Sequence, residues 1–164
     1  MTILVTGASG FVGAAVVQRL HEGGQSVCGC YRLNRLKPSA ASKIVTVTGI
    51  DGSTDWGEAL EGIDSIVHAA ARVHVMNDDA QDPLAEFRRV NTEGTLNLAR
   101  QAAQAGAKRM VFLSSVKVNG DSTPINSSFS ADGSVAPTDP YGRSKCEAEA
   151  GLRQLSASTG LEVV

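Results

Sequence analysis

Short runs of apolar and β-branched residues alternate along the chain with stretches in which apolar positions recur every three or four residues. The runs are TILVT (2–6), SVCGCY (26–31), KIVTV (43–47), SIVHA (65–69) and RMVFLS (109–114). They are near-continuous in apolar character, the pattern of strands covered on both faces. Between the first two, FVGAAVVQRLHEG carries a helical period and stops at Gly23-Gly24. The clearest helix start is Asp82-Pro83, where Asp suits an N-cap and Pro the first helical position. This helix is predicted to reach Gly106, with Leu84, Phe87, Val90, Leu96 and Leu98 marking much of its buried side. A last helix is predicted from about Tyr141 to Thr159, leading into LEVV (161–164), which reads as the beginning of a sixth strand. The alternation predicts an α/β fold: an open, doubly wound parallel sheet with right-handed crossovers and helices on both faces.

Composition narrows the function without naming it. The chain has 164 residues, 42% apolar and 20% charged, as expected for one globular domain with a proper core. A net charge of −2 supplies no broad basic field for nucleic acid or anionic lipid, and 4% aromatic residues offer few stacking platforms. No apolar stretch approaches the roughly 20 residues that span a bilayer. The first element begins within three residues of the start, so no signal peptide is expected. Cys28, Cys30 and Cys146 make no metal-type spacing with the histidines, and no metal is expected. Cys28 and Cys30 share one face of a strand and read as small buried residues in a reducing cytoplasm. The long irregular stretch 119–139, about twenty residues, exceeds ordinary connections and suggests a functional loop.

The chemistry begins at TGASGFVG (6–13), which places Gly7, Gly10 and Gly13 on a strand-to-helix turn. One reading is a turn that needs positive φ. The other is a pyrophosphate cradle, in which free N–H groups at the helix start meet the phosphates and glycines let the backbone approach them. The spacing Thr-Gly-x-x-Gly-x-x-Gly resembles the short-chain dehydrogenase/reductase superfamily, and FVG after the second glycine resembles its extended branch. That resemblance implies that Phe11 and Val12 belong to the cofactor-binding set. It also implies that residues 1–164 form one NAD(P)-binding Rossmann domain, broken off at the sixth strand, with the C-terminal substrate-binding portion absent.

In Rossmann folds an acid ending the second strand binds the ribose hydroxyls, whereas a basic residue there accommodates a 2′-phosphate. Here Tyr31 stands at that place, followed by Arg32, Arg35 and Lys37. The local charge favours NADP, with NAD as the alternative; a solvated basic loop is the competing reading. Extended members carry Gly-Asp-Ile/Leu after the third strand, with the Asp on the adenine amine. This chain reads Thr48-Gly49-Ile50-Asp51, so Gly49 takes the usual acid position and Asp51 is left as a substitute beside Ile50.

PYGRSKCEAE places Tyr141 and Lys145 four apart, on one helix face. An ammonium near a phenol favours the phenolate, so such a tyrosine can exchange a proton with a sugar hydroxyl or carbonyl. Y-x-x-x-K at the start of the helix after the fifth strand is the superfamily's catalytic pattern. FLSSVKVNG resembles the family stretch S-S-x-x-V-Y-G, which identifies Ser115 as the catalytic hydroxyl, with Asn119 replacing the usual tyrosine. Asn91 in VNTEGT matches the asparagine of the family's tetrad, and HAAA resembles H-x-A-A, where small Ala69, Ala70 and Ala71 let the cofactor lie against the backbone. His68 reads as structural, since Tyr141 fills the role of base.

Together these stretches are most similar to the NAD-dependent epimerase/dehydratase family acting on nucleotide sugars. Its sugar dehydratases carry Asp-Glu after the catalytic Ser/Thr; Val116-Lys117 stands here, which disfavours dehydration. The resemblance then implies a 4-epimerase of the UDP-glucose type. The alternatives are an NADPH-dependent 4-ketoreductase and, from another class, a non-catalytic NAD(P)-binding sensor or scaffold. It further implies a UDP-sugar as substrate and a homodimer formed through the helices around 82–105 and 141–159.

Overall fold

The computed structural model describes residues 1–33, 39–73, 81–131, 133 and 135–164. The elements, in chain order, are β1 (Thr2–Thr6), α1 (Phe11–Glu22), β2 (Ser26–Arg32), β3 (Lys43–Val47), α2 (Gly57–Leu60) and β4 (Ser65–His68). There follow α3 (Pro83–Phe87), a π-helical segment (Arg88–Gly94), α4 (Thr95–Gln104), β5 (Arg109–Phe112), a 3₁₀ turn (Val116–Val118), α5 (Pro140–Thr159) and β6 (Glu162–Val163).

All strand pairs are parallel, in the order β3-β2-β1-β4-β5-β6. The order reverses at β1, and the crevice between β1 and β4, beyond their carboxyl ends, is where such sheets receive ligands. Thr6 pairs with both Cys30 and His68, so β1 and β4 end level while β2 runs two residues further, to Arg32. Alternation along β1 feeds two cores. Leu4 packs with α2, α4 and α5 side chains such as Leu60, Leu98 and Leu152, while Ile3 and Val5 pack with Val17 of α1 and with Tyr31. Cys28 and Cys30 are buried on the first of these faces, as their spacing predicts.

The helix predicted from Asp82 to Gly106 begins as expected: the Asp82 carboxylate accepts from the Ala85 N–H at 3.0 Å, with Pro83 next. It differs inside. Residues 88–94 widen to a π-helix, which shifts the phase of everything downstream. The expected apolar stripe is split. Phe87 and Leu98 are buried, whereas Leu84, Val90 and Leu96 stay partly exposed. The fifth strand ends at Phe112 rather than Ser114, because Ser115 starts the 3₁₀ turn, its hydroxyl accepting from the Lys117 N–H at 3.2 Å. α1 stops at Gly23-Gly24, with Gly24 at φ +73°. Among the described residues no helix is long and apolar enough to cross a membrane.

Candidate active site

The wall beside β1 is made by missing side chains. Gly7 turns at φ +69°, and a Cβ there would lie 2.8 Å from the Ala70 nitrogen and 2.9 Å from the Ala69 carbonyl carbon. The β1 turn thus sits directly on the backbone leaving β4. A Cβ on Gly13 would lie 2.1 Å from the Gly7 carbonyl oxygen, so α1 can cross the turn only with glycine at that position. Gly10 is the N-cap of α1 and offers no capping side chain, and the first turn carries no acid. Phe11 is 96% and Val12 48% exposed, so the helix start opens to solvent. Uncapped N–H groups, a positive dipole end and an open glycine turn fit a dinucleotide pyrophosphate.

Further along the sheet edge, Tyr31 stands where an acid is usual. Its ring folds back onto Gly29, whose absent Cβ would meet it at 2.7 Å, and is buried against the α1 side of the core. Arg32, the last residue of β2, is exposed. Arg35 and Lys37 lie outside the described residues. Asp51 is engaged locally: one carboxylate oxygen accepts from the Ser53 N–H at 2.9 Å, the Ser53 hydroxyl at 2.7 Å and the Thr54 hydroxyl at 3.3 Å. The other oxygen faces Arg89 at 3.5 Å. The Ser53 hydrogen bonds, with Thr54 and Arg89 adding to them, hold its carboxyl below the usual range. Ile50 packs on Gly94 of the π segment.

The opposite wall is built of hydrogen bonds. Asn91 is 1% exposed. Its Oδ1 accepts from the Arg72 N–H at 2.8 Å, while Nδ2 donates to the Arg72 carbonyl at 3.0 Å and to the Ser144 hydroxyl at 3.0 Å. The Ser144 hydroxyl in turn donates to the Tyr141 carbonyl at 2.7 Å. One side chain therefore fixes the strand exit Ala69–Arg72 against α5, between Tyr141 and Lys145. Tyr141 sits in the first turn of α5, half-buried, edge-on to Phe87 with ring centroids 6.0 Å apart. Its helix is capped by Asp139, which accepts from the Gly142 N–H at 2.6 Å.

Lys145, one turn on, is 1% exposed, and its ammonium rests 3.9 Å from the centre of the Phe112 ring. Burial pulls its pKa down to about 8, against a smaller upward pull from Glu149. Phe112 also stacks with His68, at 6.0 Å between centroids and 18° between planes. His68 is held at both nitrogens, 2.7 Å from the Thr6 hydroxyl and 2.9 Å from that of Thr95. Burial, reinforced by Lys145, pushes its pKa down to about 3, so it is neutral at ordinary pH. With both nitrogens occupied by threonines of β1 and α4, it ties the sheet to a helix, as the sequence suggests.

The carboxyl edge of the sheet thus carries the glycine turn, the Ala69–Ala71 exit and Ser115 at the end of the β5 run. The helices that flank it bring Asn91, Tyr141 and Lys145. Ser144, Thr6, Thr95 and Phe112 escape the sequence reading, for their contacts cross between distant segments; only Ser144, on the buried face of α5, had a periodicity to betray it.

The profile of the NAD dependent epimerase/dehydratase family matches residues 3–164, nearly the whole chain. The chain belongs to this family. Among relatives, a UDP-glucose 4-epimerase of Vibrio cholerae is 41% identical over 167 residues, covering 99% of this chain and 49% of that protein. Among solved structures, a short-chain dehydrogenase/reductase superfamily protein of Agrobacterium tumefaciens with bound NAD superposes with TM-score 0.79 at 32% identity, covering 100% of this chain and 48% of the other. MoeE5, in complex with UDP-glucuronic acid and NAD, gives TM-score 0.82 at 29% identity, with coverage of 99% and 52%. The chain spans about half the length of the family members it matches, 49% in the Vibrio cholerae case.

Proposed function

We propose that this chain is the cofactor-binding half of an epimerase acting at C4 of a nucleotide-activated sugar, most simply a UDP-sugar. The observation that carries the reading is the Asn91 clamp, which holds the strand exit beside the glycine turn against the turn of α5 that bears Tyr141 and Lys145. A dinucleotide wall and a proton-transfer wall are thereby fixed together. Relatives and structural neighbours that act on or bind UDP-sugars support the substrate class.

A bound nicotinamide would supply hydride exchange at the sugar carbon. The chain's own residues do the rest. Gly7, Gly10, Phe11, Val12 and Gly13 receive the pyrophosphate, with Ala69, Ala70 and Ala71 as the floor and Ile50 and Asp51 on the adenine side. The Tyr141 phenol exchanges the proton of the reacting oxygen, and the Ser115 hydroxyl hydrogen-bonds that oxygen. Lys145 holds positive charge on the same helix face, with its pKa drawn down by burial to about 8. Asn91 acts through Arg72 and Ser144. The family's dimer would form on α4 and α5, where a groove of about 600 Å³ is lined by Leu96, Arg100, Gly151 and Leu155.

A second reading, one-way reduction of a 4-keto sugar by NADPH, is favoured by Arg32, exposed at the end of β2 with no acid beside it. Titration with NADPH and NADH, followed by nicotinamide fluorescence and repeated with Arg32→Ala, separates the readings. A charge-assisted contact to the 2′-phosphate is worth roughly tenfold or more in affinity. NADPH preference lost in Arg32→Ala supports the reductase. Equal or tighter NADH binding supports the epimerase. Binding of neither overturns the cofactor assignment.

A further inference from the structure

Lys117 stands two residues after Ser115, and the function proposed above gives it no task. It nevertheless touches both sides of the proton-transfer wall. Its N–H donates to the Ser115 hydroxyl at 3.2 Å. Its carbonyl oxygen lies where a Cβ on Gly142, the neighbour of Tyr141, would come within 2.6 Å, so the 3₁₀ turn rests on the first turn of α5. Its ammonium pairs with Asp121 at 2.5 Å and with Asp139 at 3.3 Å. Asp139 is the N-cap of α5, and its other oxygen accepts from the Gly142 N–H. Asp121 in turn accepts from the Thr138 hydroxyl, and the Ala136 N–H bonds to the Val118 carbonyl at 3.0 Å, so the two ends of the 119–139 loop are stitched together here.

We propose that Lys117 is a positioning residue, whose bridge to Asp121 and Asp139 sets the start of α5, and with it Tyr141, against the turn that carries Ser115. The inference rests on the reading of Tyr141 and Ser115 as the proton-transfer pair. The carboxylates facing the ammonium raise its pKa, its hydrogen bond to Asp121 most and that to Asp139 next, so the bridge is charged throughout the neutral range. Lys117, Asp121 and Asp139 are 41%, 51% and 37% exposed, and pairs so open to water add little to global stability. Their effect is therefore local geometry. A residue of the same length without charge breaks the bridge, and arginine retains it.

The chain contains two tyrosines, which makes the test direct. The chain is labelled with 3-fluorotyrosine, and its ¹⁹F spectrum is recorded without nucleotide; Tyr141→Phe assigns the lines. Buried Tyr31, on the α1 side of the core, serves as the internal reference. In Lys117→Met the Tyr141 line is expected to shift and broaden while the Tyr31 line and the unfolding temperature stay put, and Lys117→Arg is expected to restore it. Asp121→Asn, which removes one arm and leaves the α5 cap, is expected to move the same line by less, and it decides the matter if Lys117→Met does not fold. An unmoved Tyr141 line, or equal changes at both tyrosines, overturns the proposal. Adding NADH afterwards tests the cofactor assignment separately. Absence of a fluorescence response would count against that reading, while the nucleotide-free spectra still decide the role of Lys117.

Discussion

Where β1 hands over to α1, Gly13 has no space for a methyl group and Gly7 rests on the backbone of Ala70; at the other wall Asn91 fills its space and spends three hydrogen bonds doing so. The first region is specified by what it lacks and the second by what it pairs. The difference has physical consequences. A backbone turn held by close contact has no rotamer through which to relax, so added volume there is paid for by moving a strand or a helix. A side-chain network fails more gradually, one unsatisfied partner at a time.

The sharpest way to break this contrast is Gly13→Ala. The obstructing atom is backbone, 2.1 Å away, and overpacking without relief is expected to destabilise the chain by more than about 3 kcal/mol and to abolish nicotinamide binding. Chemical denaturation and NADH fluorescence check both; a variant with native stability would show that α1 can shift. Asn91→Ala removes the hydrogen bonds to the Arg72 N–H and carbonyl and to the Ser144 hydroxyl, and a loss of roughly 2–4 kcal/mol is expected in the same denaturation assay.

Acid sharpens the comparison, because the hydrogen-bonded region contains a buried imidazole whose ordinary pKa lies near neutral. The pKa of His68 falls from an ordinary 6.5 to about 3 in the folded chain. The unfolded chain therefore binds the extra proton first. The stability this neutral imidazole confers is complete above pH 6.5 and is lost as pH falls towards 3, amounting to about 2 kcal/mol at pH 5. Denaturation at pH 7.5 and pH 5, compared with the same pair for His68→Gln, isolates it; equal pH slopes would refute the assignment. Lys145 has the same sign at higher pH, since its depressed value makes stability rise between about pH 8 and 10.5.

The smallest effect on stability is expected at Tyr141→Phe. The side chain keeps its edge contact with Phe87, so stability should change by less than about 0.5 kcal/mol, while on the role proposed for Tyr141 proton transfer falls by roughly 10²–10⁴-fold. Denaturation and turnover of a UDP-sugar are the paired measurements. A large loss of stability would place Tyr141 in the network rather than at its open end.

The contrast also explains what the sequence could reveal. Glycines at fixed spacing, Asp82 before Pro83 and near-continuous β-branched runs are local signals, and the parallel doubly wound sheet and the glycine turn follow from them. The two-sided hold on His68 joins Thr6 to Thr95, and the Asn91 clamp joins the β4 exit to α5, through contacts 27 to 62 residues apart that no window contains. Asp51 was legible as an acid but not as one occupied by Ser53 and Arg89. The π segment left no mark at all, for VNTEGT reads equally well as an α-helix; its wider turns depend on what Asn91 and Thr92 find across the gap, the Thr92 hydroxyl donating to the Ser144 carbonyl at 2.9 Å.

That segment makes the chain sensitive to length rather than to composition. An α-helix advances about 100° per residue, so loss of any one residue between Arg88 and Gly94 would rewind the wide turn into an ordinary helix. Asn91 and Leu98 could then no longer both face inward on their present partners. A deletion that removes no named side chain would disconnect the two walls as surely as losing Asn91 itself, and insertions and deletions, not substitutions, are the changes this stretch can least absorb.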